Sequence, residues 1–236
     1  MTDQKSSAAN PQQRRIKSFV LRTGRMTESQ QKAYDQHWQT KGLSIELGML
    51  NYAEVFANNN PVVLEIGFGM GGSLVEMAAN AVDKNFIGIE VHTPGVGRIM
   101  HLMTEQGVDN IRVFRHDAVE VLEQCIPDAS LERIQIYFPD PWHKKKHNKR
   151  RLIQPAFVAA LRKKLKLGGV IHLATDWENY ADQMIEVLTG AEGFKNQAEE
   201  YCFAERPDYR PLTKFEKRGQ RLGHGVWDLL FEAIER

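Results

Sequence analysis

The chain has 236 residues, 42% hydrophobic, 9% aromatic and 26% charged, which suits one domain with extensions. Those proportions exclude a collagen, a disordered chain and a disulfide-stapled miniprotein. A formal charge of +1 hides a segregation of sign: residues 11–27 carry +5, 142–151 carry +6 and 206–221 carry +4, so basic patches suited to a polyanion interrupt an otherwise acidic chain.

No apolar window approaches the roughly eighteen residues of a membrane span, and the N-terminus lacks the basic start, apolar run and cleavage site of a signal peptide. A soluble cytoplasmic protein without membrane contact is expected. Cys125 and Cys202 are too few and too isolated for a disulfide framework or a thiolate metal site, and both are expected to be inert packing thiols.

Residues 1–25 are polar and aperiodic and predict a mobile basic tail, whereas 26–236 read as one domain that opens with a helical extension. At Thr27 the text Thr-Glu-Ser-Gln is a capping box, whose hydroxyl and amide side chains satisfy orphan backbone amides reciprocally at a helix start. From Pro61, apolar runs of strand length alternate with helical stretches. They are Val62–Ile66 then 72–80, Phe86–Glu90 then 94–106, Ile111–Arg115 then 117–124, Ile134–Phe138 then 152–165, and Val170–Thr175 then 177–189. Parallel strands cannot be joined by tight hairpins, so this alternation demands crossovers and a mostly parallel sheet with helices on both faces. The signal blurs after Gly190, and a last apolar segment, Gly225–Ile234, predicts a closing strand at a sheet edge.

The first strand runs into Glu65-Ile-Gly67-Phe-Gly69-Met-Gly71-Gly72 and then a helix. Glycines let a backbone turn sharply and approach a ligand closely, but Gly67, Gly69 and Gly72 also match the dinucleotide fingerprint. Three acids bear on the choice. Glu90 ends the second strand, where a carboxylate can accept both ribose hydroxyls, and Asp117 follows the third, where an adenine edge would lie. Glu65 places negative charge beside the pocket, which repels a pyrophosphate and suits a sulfonium, favouring S-adenosylmethionine over a nicotinamide dinucleotide.

The fourth strand leads into Phe138-Pro-Asp140-Pro-Trp142, a proline-stiffened turn that fixes an acid between aromatics, as a site for a flat base requires. Beyond it lies His143-Lys-Lys-Lys-His-Asn-Lys-Arg-Arg151, whose cations suit phosphates, so pocket and polycation together indicate a nucleic-acid substrate. The His143 and His147 pair lacks a carboxylate and stands among cations, so no metal is expected. Three alternatives stay open: a nicotinamide-dependent oxidoreductase, a non-catalytic RNA-binding module, and modification of another base nitrogen.

The chain resembles the bacterial tRNA (guanine-N7)-methyltransferases, the TrmB family, over roughly residues 30–236. The likeness rests on Val63-Leu-Glu-Ile-Gly-Phe-Gly-Met-Gly71, Phe86-Ile-Gly-Ile-Glu90, the block from Ile136 to Arg151, Leu173-Ala-Thr-Asp-Trp177, and Arg210-Pro-Leu-Thr-Lys-Phe-Glu-Lys-Arg-Gly219. It implies an α/β, Rossmann-like class I methyltransferase domain over 26–236, its mostly parallel sheet completed by an antiparallel closing strand. By resemblance, Glu65, Gly67, Gly69, Glu90, Asp117 and Asp140 hold S-adenosylmethionine, with Asp140 also catalytic. Lys144, Asp176, Thr213, Lys214, Phe215 and Glu216 form the substrate side, and Lys146, His147, Asn148, Lys149, Arg150 and Arg151 bind tRNA. The implied target is guanine 46 of the variable loop, in a monomer or homodimer. Asp140, Asp176 and Glu216 are then expected to share recognition and stabilisation of the base, with Phe138, Trp142 and Phe215 as stacking surfaces.

Overall fold

The computed structural model describes residues 24–213, 216 and 225–235. The proposed tail, apart from its last two residues, lies outside them. The capping box at Thr27 forms as its sequence predicts: the Gln30 amide donates to Thr27 Oγ1 (3.3 Å) and the Thr27 amide to Gln30 Oε1 (3.0 Å). It opens α1 (Glu28–Lys41), which runs into the two-residue strand β1 (Gly42–Leu43), a 3-10 turn at Ile45–Leu47 and the short α2 (Tyr52–Phe56).

The alternating units follow as β2 (Val62–Ile66), α3 (Gly72–Asn80), β3 (Asn85–Ile89), α4 (Thr93–Gln106), β4 (Ile111–Phe114), α5 (Ala118–Gln124), β5 (Leu131–Tyr137), α6 (Pro155–Lys164), β6 (Leu165–Thr175) and α7 (Glu178–Thr189). A short strand β7 (Phe194–Asn196) precedes β8 (Trp227–Ala233). The sheet has eight strands in the order β1-β4-β3-β2-β5-β6-β8-β7. From β1 through β6 neighbours are parallel, while β8 is antiparallel to both β6 and β7. The edge expectation for the closing segment is therefore corrected, because β7 covers its outer side. With so few residues β7 carries too little periodicity to be read from sequence.

Chain order reverses between β2 and β5, and such a switch point opens a crevice at the carboxyl ends of the strands. All five residues of β2 are buried, as for a central parallel strand covered on both faces. On one face Val63, Phe86, Ile111 and Val113 meet Leu74 of α3, Ile99 and Met100 of α4, and Ala33 of α1. On the other, Leu64, Ile87, Ile134 and Leu173 meet Val121 of α5, Leu161 of α6 and Met184 of α7. Cys125 packs in this second core, but Cys202 is exposed, so only one thiol fits the packing expectation.

The first face changes character past β2. With the strand period of two, Glu65, Gln135, His172 and Asp228 share one side of β2, β5, β6 and β8, alternating with apolar residues on the other. Met77 of α3 reaches the Gln135 end of this row, its sulfur 3.5 Å from Gln135 Nε2, while the segment leading to Arg210 lies over the Asp228 end, pinned where the Ala204 amide donates to Asp228 O (2.8 Å).

Candidate active site

A cleft of 430 Å³ lies over the switch point. Gly67 supplies its floor, Glu90 to His92 one wall, His116 to Ala118 a second, and Ile136 to Asp140 the third. The acids expected at successive strand ends are thereby brought together, with one exception.

Gly67 and Gly69 have φ of 78° and 59°, the left-handed region that side chains disfavour. A Cβ at either position would meet nothing within 4 Å, so the loop presents bare backbone toward open space. The loop is clamped by Glu90, whose Oε2 accepts the Gly69 amide (2.8 Å) while Oε1 accepts those of Val91 (2.7 Å) and His92 (2.9 Å). An ionised carboxylate offers about four lone-pair sites, so acceptor capacity is left toward the cleft that Glu90 lines. Sequence inspection missed Gly95 on α4, where a Cβ would lie 2.1 Å from Gly69 O, so that helix seals the loop from behind.

Asp117 caps α5, its Oδ1 accepting the Val119 amide at 2.9 Å, and it lines the cleft. Glu65 is the exception. It is buried on the polar face, accepts a hydrogen bond from Gln135 Nε2 (2.7 Å) and is absent from the cleft lining. Burial pushes its carboxyl up to about 7, with the Gln135 hydrogen bond and then Arg133 pulling the other way. Glu65 therefore does not line the cleft where a donor was expected to meet its charge, and its carboxyl is held in the direction of the neutral form.

The Phe138–Trp142 turn stands at the mouth. Both its ends are left-handed, with φ of 51° at Phe138 and 47° at Trp142. For non-glycine residues each costs ~1–3 kcal/mol and persists only where the surroundings over-determine it, which is typical of functional sites. The Phe138 amide continues the ladder to Ala174 O (2.8 Å), and Asp140 projects exposed from the proline-flanked centre. Across from it Asp176 is exposed after β6, and the His143 and Trp177 rings meet edge to face at 4.2 Å between the two loops.

The basic run forms a 3-10 turn, Lys145–Arg150. Lys144, Lys145, Lys146 and Lys149 are exposed; His147, Asn148 and Arg150 are half-buried, with Arg150 over the Trp142 ring at 5.0 Å. Desolvation, followed by repulsion from Arg150, Lys146, Lys144 and Lys149, holds the His147 imidazole below its usual proton affinity. Arg151 departs from the others. It is 2% exposed, with its guanidinium bonded inside the protein, so the expectation that it touches phosphate is corrected.

Thr213 and Glu216 form a second capping box: the Thr213 amide donates to Glu216 Oε2 (2.9 Å) and the Glu216 amide to Thr213 Oγ1 (3.1 Å). Its signature, Thr-x-x-Glu, was visible in the sequence. Glu216 Oε1 also pairs with Arg210 Nη1 at 2.7 Å, so this buried carboxylate is committed to its own loop and does not face a base as expected. Lys214 and Phe215 lie outside the described residues. Among the described residues no cluster of potential metal ligands occurs, and no helix is long and apolar enough to cross a membrane.

A family profile described as putative methyltransferase matches residues 59–229. At 60% identity the chain is similar to a tRNA (guanine-N(7)-)-methyltransferase of Shewanella amazonensis, over 94% of this chain and 93% of that one. A protein of the same name from Marinobacter nauticus is 56% identical over 98% of both chains. Among solved structures, the 16S rRNA methyltransferase KamB superposes with a TM-score of 0.57 at 14% identity, covering 78% of this chain and 93% of that one. The aminoglycoside resistance methyltransferase NpmB1 gives 0.53 at 14% identity over 81% and 94%. At such identities the superpositions establish a common fold, that of the class I methyltransferases. Sequence identity of the first kind, sustained along nearly the whole of both partners, goes further: the chain belongs to the bacterial tRNA (guanine-N7)-methyltransferase family, TrmB.

Proposed function

We propose that the protein methylates N7 of guanine 46 in the tRNA variable loop, with S-adenosylmethionine as donor. The observation that carries the reading is the junction of a glycine-floored cleft with a strained Asp-Pro-aromatic turn and a ridge of exposed lysines. The cleft residues fit the donor. Gly67 and Gly69 leave room for it, the Glu90 carboxylate suits ribose hydroxyls, and Asp117, which lines the same cleft, suits an adenine edge. When bound, S-adenosylmethionine supplies an electrophilic methyl group on a positively charged sulfur.

Guanine N7 carries a lone pair and no proton, so no residue need act as a base. The chain's task is alignment, which can lower a barrier by about 7–11 kcal/mol in favourable cases. Positive charge then develops on the purine, and the Asp140 carboxylate at the mouth is placed to stabilise it. Asp176 on the facing loop suits acceptance from guanine N1–H and the adjacent 2-amine together, a pair of donors that adenine does not present side by side. Lys144, Lys146 and Lys149 hold the backbone phosphates.

Incubation with tritiated donor and unmodified tRNA, followed by nucleoside analysis, tests the reading. Labelled N7-methylguanosine from wild-type transcripts, and none from transcripts with adenine at position 46, is expected. Label in another nucleoside, or undiminished label in the adenine transcripts, would overturn it.

A further inference from the structure

We infer that Arg151 is a positioning residue that sets the Asp140 turn against the Asp176 loop, although it closes a run of phosphate-type cations. The inference rests on the proposed roles of those two acids. Its geometry is explicit. Arg151 Nε donates to Pro141 O (2.8 Å), Nη1 to Gln183 Oε1 (2.7 Å) and Asn179 O (3.3 Å), and Nη2 to Asn179 Oδ1 (2.9 Å). One guanidinium thus holds the residue beside Asp140 and the first turns of α7, the helix that Asp176 and Trp177 lead into.

Every one of those acceptors is neutral, and a further close partner is the Tyr180 ring, 4.7 Å from the guanidinium carbon. Burying a cation against dipoles alone is costly, so stability is a weak reason for Arg at this position. What the planar fork provides is direction: several N–H groups in fixed geometry reach two segments at once, which the single ammonium of lysine cannot reproduce. The seam is fastened again beside it, where the Ile153 amide donates to Tyr180 Oη (3.1 Å) and Gln183 Nε2 to Ile153 O (3.1 Å). A turn with left-handed residues at both ends needs such outside support, and Pro141 O lies inside it.

Loosening the fork therefore misplaces Asp140 relative to Asp176 while leaving the exposed lysines untouched. The test compares Arg151→Lys, Arg151→Ala and Asn179→Ala with Lys146→Ala. Methyl transfer is counted as tritium per tRNA in single turnovers at saturating tRNA, and tRNA affinity is measured across a salt series. All are assayed below their melting temperatures. Both Arg151 variants should lose about 10–100-fold in rate. Their tRNA Kd should stay within about twofold and their salt slope unchanged, whereas Lys146→Ala should flatten the slope by about 0.7–0.9. Asn179→Ala, which keeps the arginine and removes an acceptor, should lower the rate in the same direction and serves alone if Arg151→Ala fails to fold. Retention of wild-type rate, or a tRNA affinity and slope that fall as for Lys146→Ala, would overturn the inference. Because the rate counts methyl groups irrespective of the base carrying them, a wrong target base would defeat the proposed function and leave this comparison readable.

Discussion

Arg210 and Asp228 meet in a two-point ion pair inside the protein, Nε to Oδ1 at 2.7 Å and Nη2 to Oδ2 at 2.8 Å. Asp228 also faces His172 Nε2 at 2.7 Å, and Arg210 carries Glu216 on its remaining arm. Tyr137 and Tyr209 hydroxyls lie 2.9 Å and 3.0 Å from His172 Nδ1. A continuous polar chain thus runs from the strand under the cleft to the Thr213 loop. Removing one member of a buried pair leaves an uncompensated charge and costs about 3–5 kcal/mol. Asp228→Asn and Arg210→Met should each destabilise the protein by that much in urea unfolding, and the double variant by clearly less than the sum. A loss under about 1 kcal/mol for either single change would show that the chain is not structural.

Glu65 adds a pH dependence of known sign. Its ordinary value of 4.5 is raised to about 7 in the fold. Stability from this group is fully present below about 4.5, declines as pH rises through 7, and is absent above. Glu65→Gln keeps an acceptor for Gln135 and removes the ionisation, so it should raise the melting temperature at pH 8 and change it little at pH 4.5. About 1.4 kcal/mol accompanies each tenfold change in proton affinity, giving roughly 3–4 kcal/mol at pH 8. Equal effects at both pH values would refute the shift.

Gly95→Ala tests the seal behind the glycine loop. Its methyl would lie 2.1 Å from Gly69 O, so the loop must move. Calorimetry should record at least a tenfold weaker affinity for S-adenosylmethionine, with helix content by circular dichroism unchanged. Wild-type affinity would mean that the loop has slack.

Asp140→Asn retains shape and removes charge. A fall of about 100-fold in single-turnover rate is expected, in line with other removals of a group aimed at developing charge. The donor and tRNA affinities should change much less. A full rate at saturation would withdraw the assignment.

The lysine ridge is tested by salt. Replacing Lys146 and Lys149 together by Ala should flatten the slope of log K against log salt by about 1.4–1.8. An unchanged slope would place the RNA elsewhere.

Much of the architecture was written locally. Val62–Ile66 and 72–80 match β2 and α3 residue for residue, and the other repeating units match apart from their ends, because apolar period and glycine placement act over a few neighbours. The misses are non-local. Arg151 reads as one more cation in a run, and its burial depends on Asn179 and Gln183 from a helix formed later in the chain. Glu65 reads as an anion until the sheet register sets it beside Gln135. Glu216 reads as a substrate-side acid by resemblance, whereas the fold commits one oxygen to the Thr213 amide and the other to Arg210, a pairing that nothing nearby in the sequence reveals.

Much of the sheet face under Arg210 is closed by hydrogen bonds and ion pairs among Asp228, His172, Tyr137 and Tyr209. Releasing that segment wets little oily surface, so its local opening should carry almost no heat-capacity change, unlike unfolding of the two cores. Opening of that segment would then leave both cores intact.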